Sequence, residues 1–114
     1  IVGRIKDMII RGGENIYPKE IEEVLYRHPA VGDVAVIGLP DDKWGETVGA
    51  VVRPSPGSTP TATELRSWVR EHLAPHKTPA SWFSADELPL TGSGKIQKFR
   101  LVEMWTNGEL NEIA

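Results

Sequence analysis

GDVAVIGLPDDKWGETVGAVVRP, residues 32–54, carries two apolar, β-branched runs on either side of a polar interval at residues 41–45. Valine and isoleucine suit a pleated, buried surface, and paired aspartates closed by Gly45 are turn chemistry. The two runs are expected to pair as neighbouring strands and to form the centre of a sheet.

Upstream, IKDMIIRGGENIYP (residues 5–18) has a β-branched run, a Gly-Gly break and a short apolar return. This is the pattern of a hairpin or of a strand running into a loop, with Gly12 and Gly13 at the turn. PKEIEEVLYRHP (residues 18–29) then places Pro18 where a first helical turn tolerates it, glutamates near the positive helix end, and Ile21, Val24 and Leu25 on one face. Pro29 stops that helix. Downstream, SPGSTPTA (residues 55–62) is the stretch rich in Pro, Ser, Thr and Gly, and Thr61 with Glu64 forms a capping box. The helix it opens turns Leu65, Trp68, Val69 and Leu73 inward and ends at Pro75. ASWFSADELP (residues 80–89) reads as a further strand, and QKFRLVEMW (residues 97–105) as a last short amphipathic helix. Strands and helices interleave, so the expected class is α+β, with helices packed on a small, mainly antiparallel sheet.

At 114 residues the chain is expected to be one domain, residues 1–114, able to bury roughly two-thirds of its unfolded surface. Thirteen Lys and Arg against sixteen Asp and Glu, with no basic block, argue against a nucleic-acid partner. The absence of cysteine removes disulfides, thiolate zinc sites and thiol nucleophiles, and it suits a reducing compartment, so the expected location is the cytoplasm. No apolar run reaches the eighteen or so residues of a membrane span, and residues 1–10 lack signal-peptide architecture. The chain opens without methionine, inside what reads as a strand, and is expected to be a piece of a longer protein. His72 and His76 are four apart, but Pro75 breaks the helix that would align them and no acidic third ligand has the right spacing, so no metal site is expected.

PLTGSGKIQK, residues 89–98, sets Lys95 behind two glycines and a serine. Gly92 and Gly94 permit positive φ and close approach of the backbone to a ligand, so the loop can present Lys95 to an anion. It is not a phosphate-binding P-loop, which requires glycine at Pro89 and Ser or Thr at Ile96. Taken alone, it reads equally as an exposed hairpin tip whose lysine is merely solvated.

GRIKDMIIRGGENIYPKEIE (residues 3–22) supplies the second motif. Together with residues 88–98, and with HPAVGDVAVIGLPDDKWGETVGAVV (residues 28–52) between them, it resembles the C-terminal domain of the adenylate-forming superfamily. That superfamily comprises acyl- and aryl-CoA synthetases, luciferases and the adenylation domains of nonribosomal peptide synthetases. The resemblance covers almost the whole chain, and GGENIYPKEIEEVL looks most like the medium- and long-chain or aryl acyl-CoA synthetase branch.

The resemblance implies an acid–thiol ligase that uses ATP to turn a carboxylic acid into an acyl-adenylate and then passes the acyl group to CoA. This small lid domain would take two orientations over its own large N-terminal domain, which holds the ATP, its magnesium and the acid, so the isolated fragment is expected to be inactive. Lys95 would be the catalytic lysine that reaches the carboxylate and the α-phosphate of the nucleotide. Lys6 occupies the hinge position, where the family has aspartate or in some members lysine, and Arg4 is the motif arginine on the nucleotide side. Gly12, Gly13 and Glu14 correspond to the loop that lines the pantetheine tunnel. Trp44 lies where an aromatic stacks on the CoA adenine, although a tryptophan there serves equally as packing. His76 and Thr78 depart from the aromatic and small aliphatic residues common at those places, which puts CoA contacts there in question. The Lys95 loop also resembles the site at which lysine acetyltransferases silence such enzymes. Two alternatives remain: an adenylation domain that loads a carrier-protein thiol, and an interaction module that kept the fold without the chemistry.

Overall fold

In the computed structural model, which describes residues 8–113, the Gly-Gly break closes a hairpin. Strands β1 (Ile9–Arg11) and β2 (Glu14–Ile16) pair antiparallel, with Arg11 opposite Glu14. Helix α1 (Pro18–Tyr26) begins on its proline with no side-chain cap and ends three residues before Pro29. Strands β3 (Val31–Asp41) and β4 (Gly45–Pro54) form the expected antiparallel ribbon.

Helix α2 (Ala62–His72) is capped by Thr61, whose hydroxyl accepts from the Glu64 amide at 3.1 Å. The Glu64 carboxylate reaches His28 instead of closing the capping box, 3.1 Å from Nε2. Because His28 Nδ1 accepts from the Ala30 amide at 3.0 Å, the ring proton sits on Nε2 and is donated to Glu64. His28 therefore clasps the end of α1 to the start of α2. Trp68, half-buried, adds a second tie between the helices by donating to the Val24 carbonyl at 2.7 Å.

A single 3-10 turn at Pro75–Lys77 leads to β5 (Ser81–Ser84), which pairs in parallel with β4. Parallel neighbours need a long crossover, and α2 supplies it. Helix α3 (Lys98–Thr106) precedes β6 (Asn111–Glu112), a two-residue strand antiparallel to β5. The order in the larger sheet is β3-β4-β5-β6. Among the described residues, two of its three pairings and the separate hairpin are antiparallel, as expected for this α+β class. One expectation is corrected: among the described residues β3 lies at the edge of the sheet and only β4 of the ribbon is interior.

Alternation along the strands feeds two cores. Val34, Val36, Val48, Ala50, Val52 and Trp82 pack with Ile21 and Leu25 of α1 and Leu65 and Val69 of α2. Ala35, Ile37, Leu39, Val51 and Phe83 pack on the other face with Leu88 and with Leu101 of α3. Both faces being covered explains why these strands read as continuous apolar runs. As an edge strand, β3 also needs partners for its outward amides. Val34 donates to Asp33 Oδ1 at 2.9 Å and Val36 to Glu22 Oε2 of α1 at 2.9 Å.

The α1 end is joined to the start of β3 by the Tyr26 hydroxyl, which donates to Asp33 Oδ1. Burial first, then the hydrogen bond to Asp33 and its charge, pushes the Tyr26 phenol up to about 12. A raised folded-state value means this contribution is fully present below about pH 10, where the unfolded phenol is still protonated, and is lost as pH climbs towards 12.

Two outcomes follow for the fold. Leu65 is fully buried, so in urea titrations Leu65→Ala lowers stability by about 2–5 kcal/mol, whereas Thr61→Ala, which loses only the cap, costs about 1 kcal/mol. A Leu65→Ala loss within about 0.5 kcal/mol, the size of a surface change, would contradict the packing of α2. In alkaline unfolding, the wild type loses stability between about pH 10 and 12 more steeply than Tyr26→Phe; superimposable profiles would show that the Tyr26–Asp33 bond does not hold the phenol neutral.

Candidate functional site

The Lys95 loop is shaped by its own backbone. Leu90 and Ile96 bridge antiparallel at its base, and the Gln97 amide donates to the Pro89 carbonyl at 2.8 Å. Inside the loop, the Thr91 amide donates to the Lys95 carbonyl at 2.7 Å and the Gly94 amide to the Thr91 carbonyl at 3.0 Å. The Thr91 hydroxyl accepts from the Lys95 amide at 3.1 Å and lies 3.0 Å from Ser93 Oγ. Gly94 takes φ +87°, the conformation glycine is there to permit, whereas Gly92 does not use its freedom. Lys95 is exposed at the tip, and among the described residues no carboxylate forms an ion pair with it.

Two clefts meet at this lysine. One, of about 610 Å³, lies between Met8, Glu46 and the loop, with Phe99 exposed on its rim. The other, of about 370 Å³, is bordered by Glu22, Tyr26, Asp33, Leu90 and Lys98. An ammonium with no carboxylate partner among the described residues and flanked by open space is suited to an external anion.

A second constellation forms around the hairpin turn. Gly12 and Gly13 both take positive φ, at +56° and +88°. The Gly12 amide donates to the Trp44 carbonyl at 2.9 Å, which docks the turn against the β3–β4 connection. The indole lies so close that a Cβ at Gly12 would sit 2.5 Å from Trp44 Cε3, so glycine is required for contact as well as for φ. The Arg11 guanidinium is 4.5 Å and the Lys43 ammonium 5.0 Å from a Trp44 ring centre, both within cation–π range. Trp44 remains 37% exposed, which leaves part of the indole for a ligand. Glu14 spans from Arg11, at 3.9 Å, to His76, at 4.0 Å.

Beside this turn is a small basic cleft of about 200 Å³ lined by Arg11, Arg66, Arg70, His76 and Thr78. The Thr78 hydroxyl on its wall is buried with no partner among the described residues. Arg66 and Arg70 face it together from adjacent turns of α2. Sequence reasoning did not single them out; the available signal was their four-residue spacing, which places both on one helical face. No residue lines both this cleft and either cleft at Lys95.

The structure thus brings Gly12, Gly13, Glu14 and Trp44 into one group and sets Lys95 in another. Arg4 and Lys6 lie outside the described residues. Among the described residues no cluster of three metal-ligating side chains occurs; His72 Nδ1 donates to the Trp68 carbonyl at 2.7 Å and His76 turns to Glu14. No helix among them is long and apolar enough to cross a membrane.

Comparison with known proteins places this geometry in context. A feruloyl-CoA synthase of an Amycolatopsis species is 55% identical over 98 residues, covering 86% of this chain and 20% of that protein. A mitochondrial medium-chain acyl-CoA ligase of Rattus norvegicus is 47% identical over 103 residues, covering 90% of this chain and 17% of the ligase. Among solved structures, a fatty acyl CoA synthetase of Mycobacterium tuberculosis superposes with a TM-score of 0.86 at 42% identity, over 92% of this chain and 21% of that one. The chain spans about a fifth of the length of the curated relatives it matches. It matches the AMP-binding enzyme C-terminal domain family over residues 20–95, and to that family the chain belongs.

Proposed function

We propose that the chain, residues 1–114, is the mobile C-terminal domain of an ATP-dependent acyl-CoA synthetase. The observation that carries this reading is the pair of separate surfaces, the Lys95 loop and the Gly12–Trp44 turn with its basic cleft, which have no lining residue in common. Each fits one half of a two-step ligation. In the first, a carboxylate oxygen attacks the α-phosphorus of ATP and pyrophosphate leaves; in the second, the CoA thiol attacks the acyl carbon and AMP leaves. The ATP pocket, the acid pocket and the magnesium that accompanies ATP belong to a large N-terminal domain, this domain's principal partner.

Lys95 acts in the first step. Negative charge builds on the phosphorane oxygens, and a pre-positioned ammonium stabilises it more than it stabilises the ground state. At about 4 Å and an effective dielectric near 20, one such contact is worth roughly 4 kcal/mol, on the order of a thousandfold in rate. Arg4 assists on the nucleotide side, and Lys6 is the hinge about which the domain reorients before the second step. In that step the Gly12–Gly13 backbone, with Glu14 beside it, lies against the pantetheine arm, and the part of the Trp44 ring left exposed receives the adenine.

The basic cleft favours free CoA over a carrier-bound thiol. A phosphopantetheinyl carrier brings neither the adenine nor the 3′-phosphate, whereas Arg11, Arg66 and Arg70 converge on a space of phosphate size beside Trp44. It argues equally against an interaction module, which has no use for two arginines and a loop lysine that, among the described residues, meet no carboxylate and stand on separate surfaces. The relatives' names span an aryl and a medium-chain acid. The cysteine-free composition fits the cytoplasm as the working compartment.

In the full-length parent, Lys95→Ala slows pyrophosphate release by roughly 10²- to 10⁴-fold while thioester formation from supplied acyl-adenylate is retained. Arg70→Ala does the reverse, raising the KM for CoA without changing adenylation. Equal effects of both variants on both half-reactions would remove the two-surface assignment. The exposed Lys95 also suits a lysine acetyltransferase, and acetylation would erase the charge the first step needs. Mass spectrometry of the parent after incubation with acetyl-CoA and such an enzyme is expected to find the acetyl group on Lys95, with adenylation lost in proportion; a parent acetylated only elsewhere contradicts that role.

A further inference from the structure

Lys95 is fixed within its loop by the loop's own hydrogen bonds, but those bonds do not fix the loop relative to the rest of the domain. The described contacts that do so include the buried Leu88 on one side and helix α3, which begins three residues after Lys95, on the other. The start of α3 has an unusual composition. It has no side-chain cap, its first turn holds no acidic residue, and Lys98 and Arg100 stand where the helix dipole disfavours positive charge. Local rules alone would make this end fray.

The missing negative charge comes from a distant part of the chain. Glu22 of α1 places Oε2 2.9 Å from Lys98 Nζ, and the same oxygen accepts the outward amide of Val36 on β3 at 2.9 Å. Both side chains are largely withdrawn from water, at 23% and 17% exposed, so this pair is screened less than a surface ion pair. Glu22 and Lys98 also border the 370 Å³ cleft on which Lys95 opens. One carboxylate thus joins the edge strand, α1 and the first residue of the helix that follows the loop.

We propose that Glu22 is a positioning residue for Lys95: through Lys98 it holds the start of α3, and so sets where the lysine tip stands when the domain closes for adenylation. This rests on the assignment of Lys95 to the first half-reaction. Lys98 serves as the relay and makes no contact with substrate in this scheme.

The test uses the full-length parent and its two half-reactions. Glu22→Gln keeps an oxygen for the Val36 amide and removes the charge that Glu22 presents to Lys98. It is expected to slow adenylate formation about ten- to a hundredfold, the scale of a reacting group displaced by a fraction of an ångström to an ångström, and to leave thioester formation from supplied acyl-adenylate at the wild-type rate. Lys98→Met should behave alike and Lys98→Arg, which keeps the ion pair, should remain near wild type. On a Lys95→Ala background Glu22→Gln should cause no further loss, because there is then no lysine to misplace. Equal slowing of both half-reactions, or a full additional loss on the Lys95→Ala background, would reduce Glu22 to a general structural role. If Lys95→Ala slows adenylation and Glu22→Gln does not, the positioning role alone falls. If Lys95→Ala itself leaves adenylation intact, the underlying assignment fails, and the positioning role with it.

Discussion

Everything in this domain depends on a ribbon that is buried on both faces. Val34 and Val36 go to one core and Ala35, Ile37 and Leu39 to the other, and the β4 residues opposite them divide in the same way. A one-residue slip in register would exchange the two sets and misfit both layers of helices, so the pairing is strongly specified. With α1 and α2 on one side and α3 on the other, the ribbon is a stiff plate from which short polar segments project. Segments of three or four residues could not hold a defined shape in water by themselves; on this plate they can.

The two projecting segments are attached by different means. The hairpin of β1 and β2 is fastened to β4 by side chain and backbone together: the Glu46 carboxylate accepts the Ile10 amide at 3.0 Å, Gly12 bonds to Trp44, and Ile9 and Ile16 sink into the core beneath α1. The Lys95 loop has its internal turn, the anchor of Leu88 and the start of α3. The clefts of the two segments do not share a residue. In the proposed two-step scheme, reorientation about a hinge would exchange one surface for the other without remodelling either.

Helices and the ribbon were legible from the sequence because caps, prolines and β-branched runs are local signals. Pro18, Thr61 and Pro75 fixed helix ends to within a few residues, and the Gly12–Gly13 turn is where the break was expected. Strand order was not legible, since a run such as SWFS does not reveal its partner; β5 pairs in parallel with β4 through the α2 crossover, which moves β3 from the expected centre to the edge. Two-residue β6 is too short for any periodicity. Of the site, Gly12, Gly13, Glu14 and Trp44 were singled out through resemblance to a family, while Arg66 and Arg70 were not singled out. Only the return of residues 75–80 alongside α2 turns them into the wall of a cleft.

The residues that escaped local logic share a physical trait. Arg66 and Arg70 put like charges four apart on a helix, a small cost in isolation, and neither pairs with a carboxylate among the described residues. Lys98 and Arg100 open a helix with the wrong sign, and Gly12 and Gly13 give up the conformational economy of any other residue. By contrast, Lys77, which lines none of these clefts, meets Glu20 at 2.7 Å, as a charge with no further task does. A sequence under selection for stability alone would remove such conflicts one at a time, since each removal needs a single substitution. Their concentration around the lysine loop and the Trp44 turn fits the proposed function, in which a ligand and a closing partner meet those surfaces.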